Sequence, residues 1–373
     1  MGLTVEQCWH QVPGGSGSYV VELVRALGSL DGLTTVGLSA RHTDAAPVED
    51  LGLAVASSAL PRTVLYESWN RLRRPRAESL AGAVDVVHAT TWAVPGTRAP
   101  LVVTVHDLAF LRSPEHFTAR GNAYFRRALQ VVRDEADAIV VPSRASLTDC
   151  VEAGLPPERI HVVPHGVRAH PVTSDQVADW RRRYDIARPY LLWCGTLEPR
   201  KNLIRLVEAY EIATAEGGLD LDLVLAGPVG WGGVSEALER ALARLPPGAV
   251  RRVGRLSDDD LQVAYAGARL FAFPSLWEGF GMPVLEAMAH GVPVVTSSGT
   301  SMAEFVGASG VVVEPTDVHA IAAGLVEVAG DAHDVMSMAA RRAGELATWQ
   351  ASARAHHRVY NLAAGRIAAE TAE

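Results

Sequence analysis

Two carboxylates, Glu278 and Glu286, stand with seven residues between them in the string FPSLWEGFGMPVLEAMAHGVPVV, Phe273–Val295. The apolar run before them predicts a strand ending near Pro274, followed by a glycine-containing loop. A helix then opens around Pro283, where a missing N–H does no harm. Gly291 and Pro293 close that helix, and a second apolar strand follows. This spacing puts Glu278 in the loop and Glu286 in the first helical turn, both facing one site at different depths. Gly279 and Gly281 let backbone approach a ligand closely, and a helix start offers N–H groups and positive partial charge. Such a place suits a diphosphate. Complementing the helix dipole would explain Glu286 alone, but it requires neither the second glutamate nor the glycines.

Other residues extend the same chemistry. Arg200 and Lys201 follow the predicted strand Tyr190–Cys194 and can grip two phosphates, the guanidinium through paired donors and the ammonium as a point charge. A solvated loop end would also carry such a pair, and their coupling to the glycine loop on the same sheet edge favours the phosphate role. Gly14, Gly15 and Gly17 lie between an apolar start, Leu3–Trp9, and a helix-like Tyr19–Leu27. They do not form the dinucleotide fingerprint G-x-G-x-x-G. His106 ends a buried strand and precedes Asp107. A lone histidine there is ordinarily structural.

Two further signals read better as scaffold. Asp220-Leu221-Asp222 has the look of a metal-nucleotide D-x-D, yet it leads into a buried strand. Ser257 followed by Asp258, Asp259 and Asp260 is a capped helix start with dipole-complementing acids. The segment Arg62–Arg76, with Arg62, Arg71, Arg73, Arg74 and Arg76 beside Trp69, could lie on anionic lipid, although a solvated face accounts for it more simply.

What positions these residues is an alternation of short apolar strands with helix-like stretches. Candidate strands are Val36–Ala40, Val84–His88, Leu101–Val105, Ala138–Val141 and His161–Val163, then Tyr190–Cys194, Leu221–Ala226, Val250–Val253, Leu270–Phe273, Val292–Thr296 and Gly310–Val313. Their two-sided apolarity and their alternation with helices imply parallel sheets built from βαβ crossovers. A single sheet of about a dozen strands is improbable, so the chain is split. The expected division is residues 1–170, residues 171–350, and a C-terminal helix over residues 351–373 returning to the first domain. Each domain is expected to be doubly wound, with ligands bound in a cleft at the carboxyl ends of the strands.

Composition narrows the function classes. The chain has 373 residues, 48% hydrophobic and 20% charged, with a net charge of -8. It is long enough for two full cores, and its acidic balance argues against nucleic acid as a partner. Cys8, Cys150 and Cys194 are scattered and odd in number, which favours a reducing, cytoplasmic setting. No apolar run reaches the length of a membrane span, so at most a peripheral contact at the inner membrane face is expected.

The E-x7-E pair of Glu278 and Glu286 resembles that of glycosyltransferase family 4, retaining enzymes of the GT-B fold. Four more segments resemble the family in the same order: PGGSGSYVVELVRAL (Pro13–Leu27), VTVHDLAF (Val103–Phe110), VVPHGV (Val162–Val167) and GTLEPRKNLIRLVEAY (Gly195–Tyr210). The flavour is that of bacterial mannosyltransferases building O-antigen and related polysaccharides. The resemblance implies two Rossmann-like domains and a nucleotide-diphosphate-sugar donor, GDP-mannose first and a UDP-hexose second, with a carbohydrate or lipid-linked acceptor. It implies that Arg200 and Lys201 stabilise the leaving diphosphate, Glu286 holds the ribose hydroxyls, and Glu278 and His106 contact the donor sugar, with Asp107 capping or orienting His106. Gly14 and Gly15 would border the phosphates, and Gly254 and Leu256 the base. Gly279, Phe280, Gly281, Met282, Val284 and Leu285 would line the donor. No cofactor or metal is expected, since the cations and helix dipole supply positive charge. A non-catalytic sugar-nucleotide sensor or an epimerase on the same fold are the rival readings.

Overall fold

Runs such as Tyr190–Cys194 and Leu270–Phe273 are buried along their whole length, as strands covered by helices on both faces must be. The computed structural model describes residues 1–10, 14–43, 51–228, 230 and 234–365. Within them, strands pair in two all-parallel sheets. The first contains β1 (Gly2–Thr4), β2 (Val36–Ser39), β3 (Ala54–Ser57), β4 (Val87–Ala89), β5 (Leu101–Thr104), β6 (Ala138–Val141) and β7 (Ile160–Val162). The second contains β8 (Tyr190–Cys194), β9 (Asp222–Ala226), β10 (Val250–Gly254), β11 (Leu270–Phe273), β12 (Val294–Ser297) and β13 (Gly310–Val313). Their orders are β3-β2-β1-β4-β5-β6-β7 and β10-β9-β8-β11-β12-β13. Both are doubly wound, with the strand order reversing at β1/β4 and at β8/β11. Ligands of such sheets bind beyond the carboxyl ends of the strands at those reversals.

The chain divides into two compact units, Met1–Gly166 with Trp349–Glu373, and Val167–Thr348. In the second, Trp180, Trp193, Tyr190, Tyr210, Tyr265 and Phe271 are fully buried. In the first, β4, β5 and β6 supply Val87, Val103, Ile139 and Val141 to the core. Two strands escape the sequence pattern: β1, three residues long, and β3, which is mostly exposed at the sheet edge.

The helix Trp349–Ala363 belongs to the first unit and packs on the helix Gly14–Leu27. Its buried face carries Trp349, Ala353, His356, Val359 and Tyr360, the i, i+4, i+7 stripe of an amphipathic helix. A chain of hydrogen bonds ties it to the sheet. His356 Nδ1 lies 2.8 Å from the Ser352 carbonyl, so it donates there and Nε2 accepts from Tyr19 Oη at 2.9 Å. Thr104 then donates to Tyr19 (2.9 Å), His88 Nε2 to Thr104 (2.8 Å) and Tyr360 Oη to His88 Nδ1 (2.9 Å). Burial holds the His356 imidazole down to about 4 and His88 well below its ordinary value, so both are neutral links.

Several readings of individual segments are corrected. The glycines before Tyr19 are not a loop, because Gly14, Gly15 and Gly17 form the opening turn of the helix Gly14–Leu27. First-turn N–H groups need no intrahelical partner, so glycine costs little there; Pro13 lies outside the described residues, as do residues 366–373 of the C-terminal segment. Trp69 is not available to lipid, since it is fully buried and donates Nε1–H to the Pro75 carbonyl at 2.9 Å. Arg73 reaches Glu135 and the carbonyls of Trp69, Val94 and Pro95. Among the described residues, no helix is long and apolar enough to cross a membrane.

Candidate active site

β8 and β11 are neighbours, with Leu270 opposite Leu191, so the loops leaving their carboxyl ends meet. The loop after β8 runs through Gly195 into a helical turn, Pro199–Lys201. It packs backbone to backbone against the loop after β9, since a Cβ on Gly227 would lie 1.9 Å from the Gly195 carbonyl oxygen. Asn202 then takes a left-handed φ of 56° and donates Nδ2–H bonds to the carbonyls of Pro274 (2.9 Å) and Pro315 (2.7 Å). One buried amide thus fixes the β8 loop to the exits of β11 and β13.

On that frame Arg200, Lys201 and Glu278 converge. Lys201 Nζ lies 2.7 Å from Glu278 Oε1, and Arg200 Nη1 lies 2.6 Å from Oε2. Ser275 Oγ donates to Oε1 at 2.8 Å. Arg200 also pairs with Glu198 at 2.6 Å and donates to the Trp277 carbonyl at 3.0 Å. Lys201 Nζ sits 4.6 Å from the Phe273 ring centroid, a cation over an aromatic face. Burial pushes the Glu278 carboxyl up, but the charges and hydrogen bonds of Lys201 and Arg200 outweigh it and hold it at about 2. Two cations stand against two carboxylates, Glu278 and Glu198, so a diphosphate binds here by taking over part of these ion pairs rather than by meeting surplus charge.

Gly281 caps the helix Met282–Ala289 with a φ of 95°. A Cβ there would fall 2.3 Å from Met302 Cγ, so only glycine fits. The helix starts at Met282, which makes Glu286 its fifth residue rather than a first-turn acid. Dipole complementation therefore does not explain it, because that effect fades beyond the first turn. The Val284 N–H turns back to the Gly281 carbonyl at 3.0 Å, and Pro283 has none, so Gly281 and Met282 are left to present N–H groups to an anion. The Val284 and Leu285 side chains are buried in the core; Phe280 packs on Phe305, centroids 5.2 Å apart, and Gly279 and Met282 are half-buried.

Behind Glu286 stand two residues that the sequence did not reveal. Tyr265 Oη donates to Glu286 Oε2 at 2.9 Å and lies 2.9 Å from Cys194 Sγ. The Cys194 thiol is pushed up to about 12 by burial, so it stays protonated and donates to Tyr265. Burial raises the Glu286 carboxyl and the Tyr265 bond opposes that rise. Gly254 is exposed with a φ of 69°, and its carbonyl accepts from the Gly227 N–H at 2.7 Å. Leu256 packs against the core of this unit.

In the first unit, His106 follows β5 and is half-buried, while Gly14 and Gly15 are exposed. His106 Nε2–H donates to the Thr90 carbonyl at 3.0 Å, which leaves Nδ1 as an acceptor. The ring meets Tyr19 edge-on, centroids 4.7 Å apart, and burial holds it down to about 4. Thr90 sets the ring, while Asp107 Oδ1 accepts from the Ala109 N–H at 3.0 Å, at the start of the short helix Ala109–Arg112. The two scaffold motifs are engaged as such. Asp220 and Asp222 both pair with Arg188 at 2.7 Å, and Ser257 Oγ accepts from the Asp260 N–H at 3.2 Å.

Two doubly wound units, the second carrying paired cations and two glutamates at its strand-order reversal, define a GT-B nucleotide-sugar glycosyltransferase. Residues 13–170 match the family described as Glycosyltransferase Family 4, and residues 188–331 match Glycosyl transferases group 1. The chain belongs to this glycosyltransferase family. It is 32% identical to O-antigen chain mannosyltransferase B of Escherichia coli, over 84% of this chain and 86% of that protein. It is 30% identical to the serotype-specific mannosyltransferase WbdA of Escherichia coli, over 62% of this chain and 29% of that one. Anabaena HepE, solved with UDP and glucose, shares the fold with a TM-score of 0.73 and 21% identity, covering 98% of this chain and 99% of that one.

Proposed function

We propose that this glycosyltransferase moves mannose from GDP-mannose onto a glycan acceptor, keeps the anomeric configuration of the donor, and needs no metal. The observation that carries the reading is the convergence of Arg200, Lys201 and Glu278 beside the Gly281 helix start. A diphosphate arriving there finds two cations and two N–H groups already aimed, and charge growing on it during bond cleavage is stabilised without a divalent ion. Glu286 keeps Oε1 for the ribose hydroxyls, while Tyr265 holds Oε2. Glu278 contacts the donor sugar, while in the first unit His106 keeps Nδ1 as an acceptor. In this reading the C1–O bond to the diphosphate breaks as the acceptor oxygen bonds C1 from the same face, and the acceptor proton passes to the departing phosphate oxygen. Support for mannose comes from the mannosyltransferases that the chain resembles; UDP, present with HepE, keeps a UDP-hexose as the second donor.

The test is transfer from GDP-α-mannose with excess EDTA, the product read by the one-bond carbon–proton NMR coupling at the new anomeric centre. An α-linked product at undiminished rate is expected. A β-linked product would recast His106 as a general base, and loss of rate with EDTA would require a metal.

A further inference from the structure

At the carboxyl end of β1 the chain turns through Glu6–Trp9, and Glu6 is only 1% exposed. Its Oε2 accepts from the Ala40 N–H at 2.7 Å and from His42 Nε2 at 2.9 Å. Its Oε1 is buried without a hydrogen-bond partner, and so are Trp9 Nε1, His10 Nε2 and Tyr66 Oη. These atoms belong together. The Trp9 indole stacks on His42, centroids 4.7 Å apart and planes 9° off parallel. The Glu6 charge acts on both His10 and Tyr66, the latter from the helix Arg62–Leu72. All lie within the first unit, and β1 borders its strand-order reversal, where open α/β sheets take ligands.

Buried polar atoms in native proteins are almost always satisfied, so several unsatisfied ones around the same carboxylate mark a place that water or ligand completes. What they offer is a carboxylate oxygen, an indole N–H, a phenol O–H and an imidazole nitrogen, next to an aromatic ring. That is a set of acceptors and donors suited to neighbouring hydroxyl groups. It is unsuited to an anion, which would sit against a carboxylate with no cation paired to its buried oxygen. The Arg62 charge also reaches His10 and Tyr66, but it is exposed at the start of its helix, where solvent screens it more than the buried Glu6 carboxylate.

We propose that Glu6, Trp9, His10 and Tyr66 form the acceptor subsite and admit an uncharged saccharide terminus while excluding a phosphorylated sugar or polyol. This rests on the glycosyl-transfer reading and adds the charge class of the acceptor. Glu6 Oε1 accepts from a sugar hydroxyl, Trp9 and Tyr66 donate to sugar oxygens, and no bond is made or broken at these residues.

The experiment titrates the full chain, saturated with GDP, with methyl glycosides of mannose, glucose and galactose, and with mannose 6-phosphate and myo-inositol 1-phosphate. Binding is followed by saturation-transfer NMR. At least one neutral glycoside is expected to bind about tenfold or more tightly than either phosphate. Tyr66→Phe and Glu6→Gln should each weaken that glycoside by about tenfold with the nucleotide Kd unchanged, and Glu6→Gln should also narrow the gap to the phosphates. The nucleotide Kd reports folding, and Tyr66→Phe is the milder change should Glu6→Gln unfold. Equal or tighter binding of a phosphate, no binding of any neutral glycoside, or glycoside affinity untouched by Tyr66→Phe would each overturn the proposal. Failure of wild-type chain to bind any nucleotide would instead sink the donor-site reading and leave the saccharide measurement standing.

Discussion

Acidification from pH 7 to pH 5 is expected to loosen the first unit more than the second, through four buried histidines against the second unit's His290, itself lowered to about 4. His106 and His356 are each lowered from 6.5 to about 4. A base with a depressed folded pKa binds fewer protons when folded than when unfolded. Its neutral burial therefore costs nothing above 6.5 and increasingly destabilises the fold as pH falls from 6.5 to about 4. At pH 5 the unfolded imidazole is almost fully protonated and the folded one scarcely at all. The cost is about 2 kcal/mol for each histidine and about 4 kcal/mol for the pair. His88 and His165, lowered well below their ordinary value, act in the same direction. The acids work elsewhere, since Glu278 at about 2 begins to lose its contribution only below the ordinary carboxylate range. The assay is amide hydrogen exchange of the helix Trp349–Ala363 at both pH values, corrected for intrinsic rates. His356→Gln, which can still accept from Tyr19, should remove about 2 kcal/mol of the pH effect and leave the share of the other histidines. Equal protection at pH 7 and pH 5 would refute the reasoning.

Other expectations follow from the second unit. Arg200→Ala and Lys201→Ala should each lower kcat more than they raise donor Kd, because diphosphate charge grows toward the transition state; two variants with kcat intact would show that these cations only hold the substrate. Each should also cost stability, up to the ~3–5 kcal/mol of a broken buried pair, read by chemical denaturation. Glu286→Ala should weaken nucleotide binding by about 1.5–3 kcal/mol in calorimetry. Because Tyr265 opposes the upward shift of Glu286, Tyr265→Phe should move the acid limb of nucleotide binding to higher pH; an unmoved limb would detach Tyr265 from the ribose carboxylate. Gly281→Ala combines a φ of 95° with a Cβ 2.3 Å from Met302 Cγ, so denaturant titration should show a loss of about 1–3 kcal/mol.

Much of this was written in local pattern. β8, β9, β11 and β12 are buried on both faces and stand out as short runs between helices, and Glu278, Arg200 and Lys201 sit at strand exits that those runs define. β1 and β3 did not stand out: one is three residues merging into an apolar stretch, the other an exposed edge of small residues. The helix begins one residue earlier than the pattern predicts, which moves Glu286 out of the first turn, because the start is set by Gly281 adopting a left-handed conformation against Met302, a contact between separate segments. Trp69 looked like a surface aromatic among arginines because nothing local reveals that Pro75 and the core enclose it. Tyr265 and Cys194 are invisible as partners of Glu286 for the same reason. They lie 21 and 92 residues before it (286 − 265 and 286 − 194), and a hydrogen bond between elements leaves no mark on periodicity.

The allocation of Trp349–Ala363 to the first unit has a consequence for how the chain comes into being. Synthesis runs from the amino end, and domains generally fold as units as they emerge. Val167–Thr348 is contiguous and can complete its core while the remainder is still being made. The first unit, begun earlier, must wait, with the helix Gly14–Leu27 uncovered and Tyr19 lacking its His356 acceptor. The earlier-made half is thus the later-finished one, and during that interval the apolar face meant for Trp349, Val359 and Tyr360 is what a chaperone would meet.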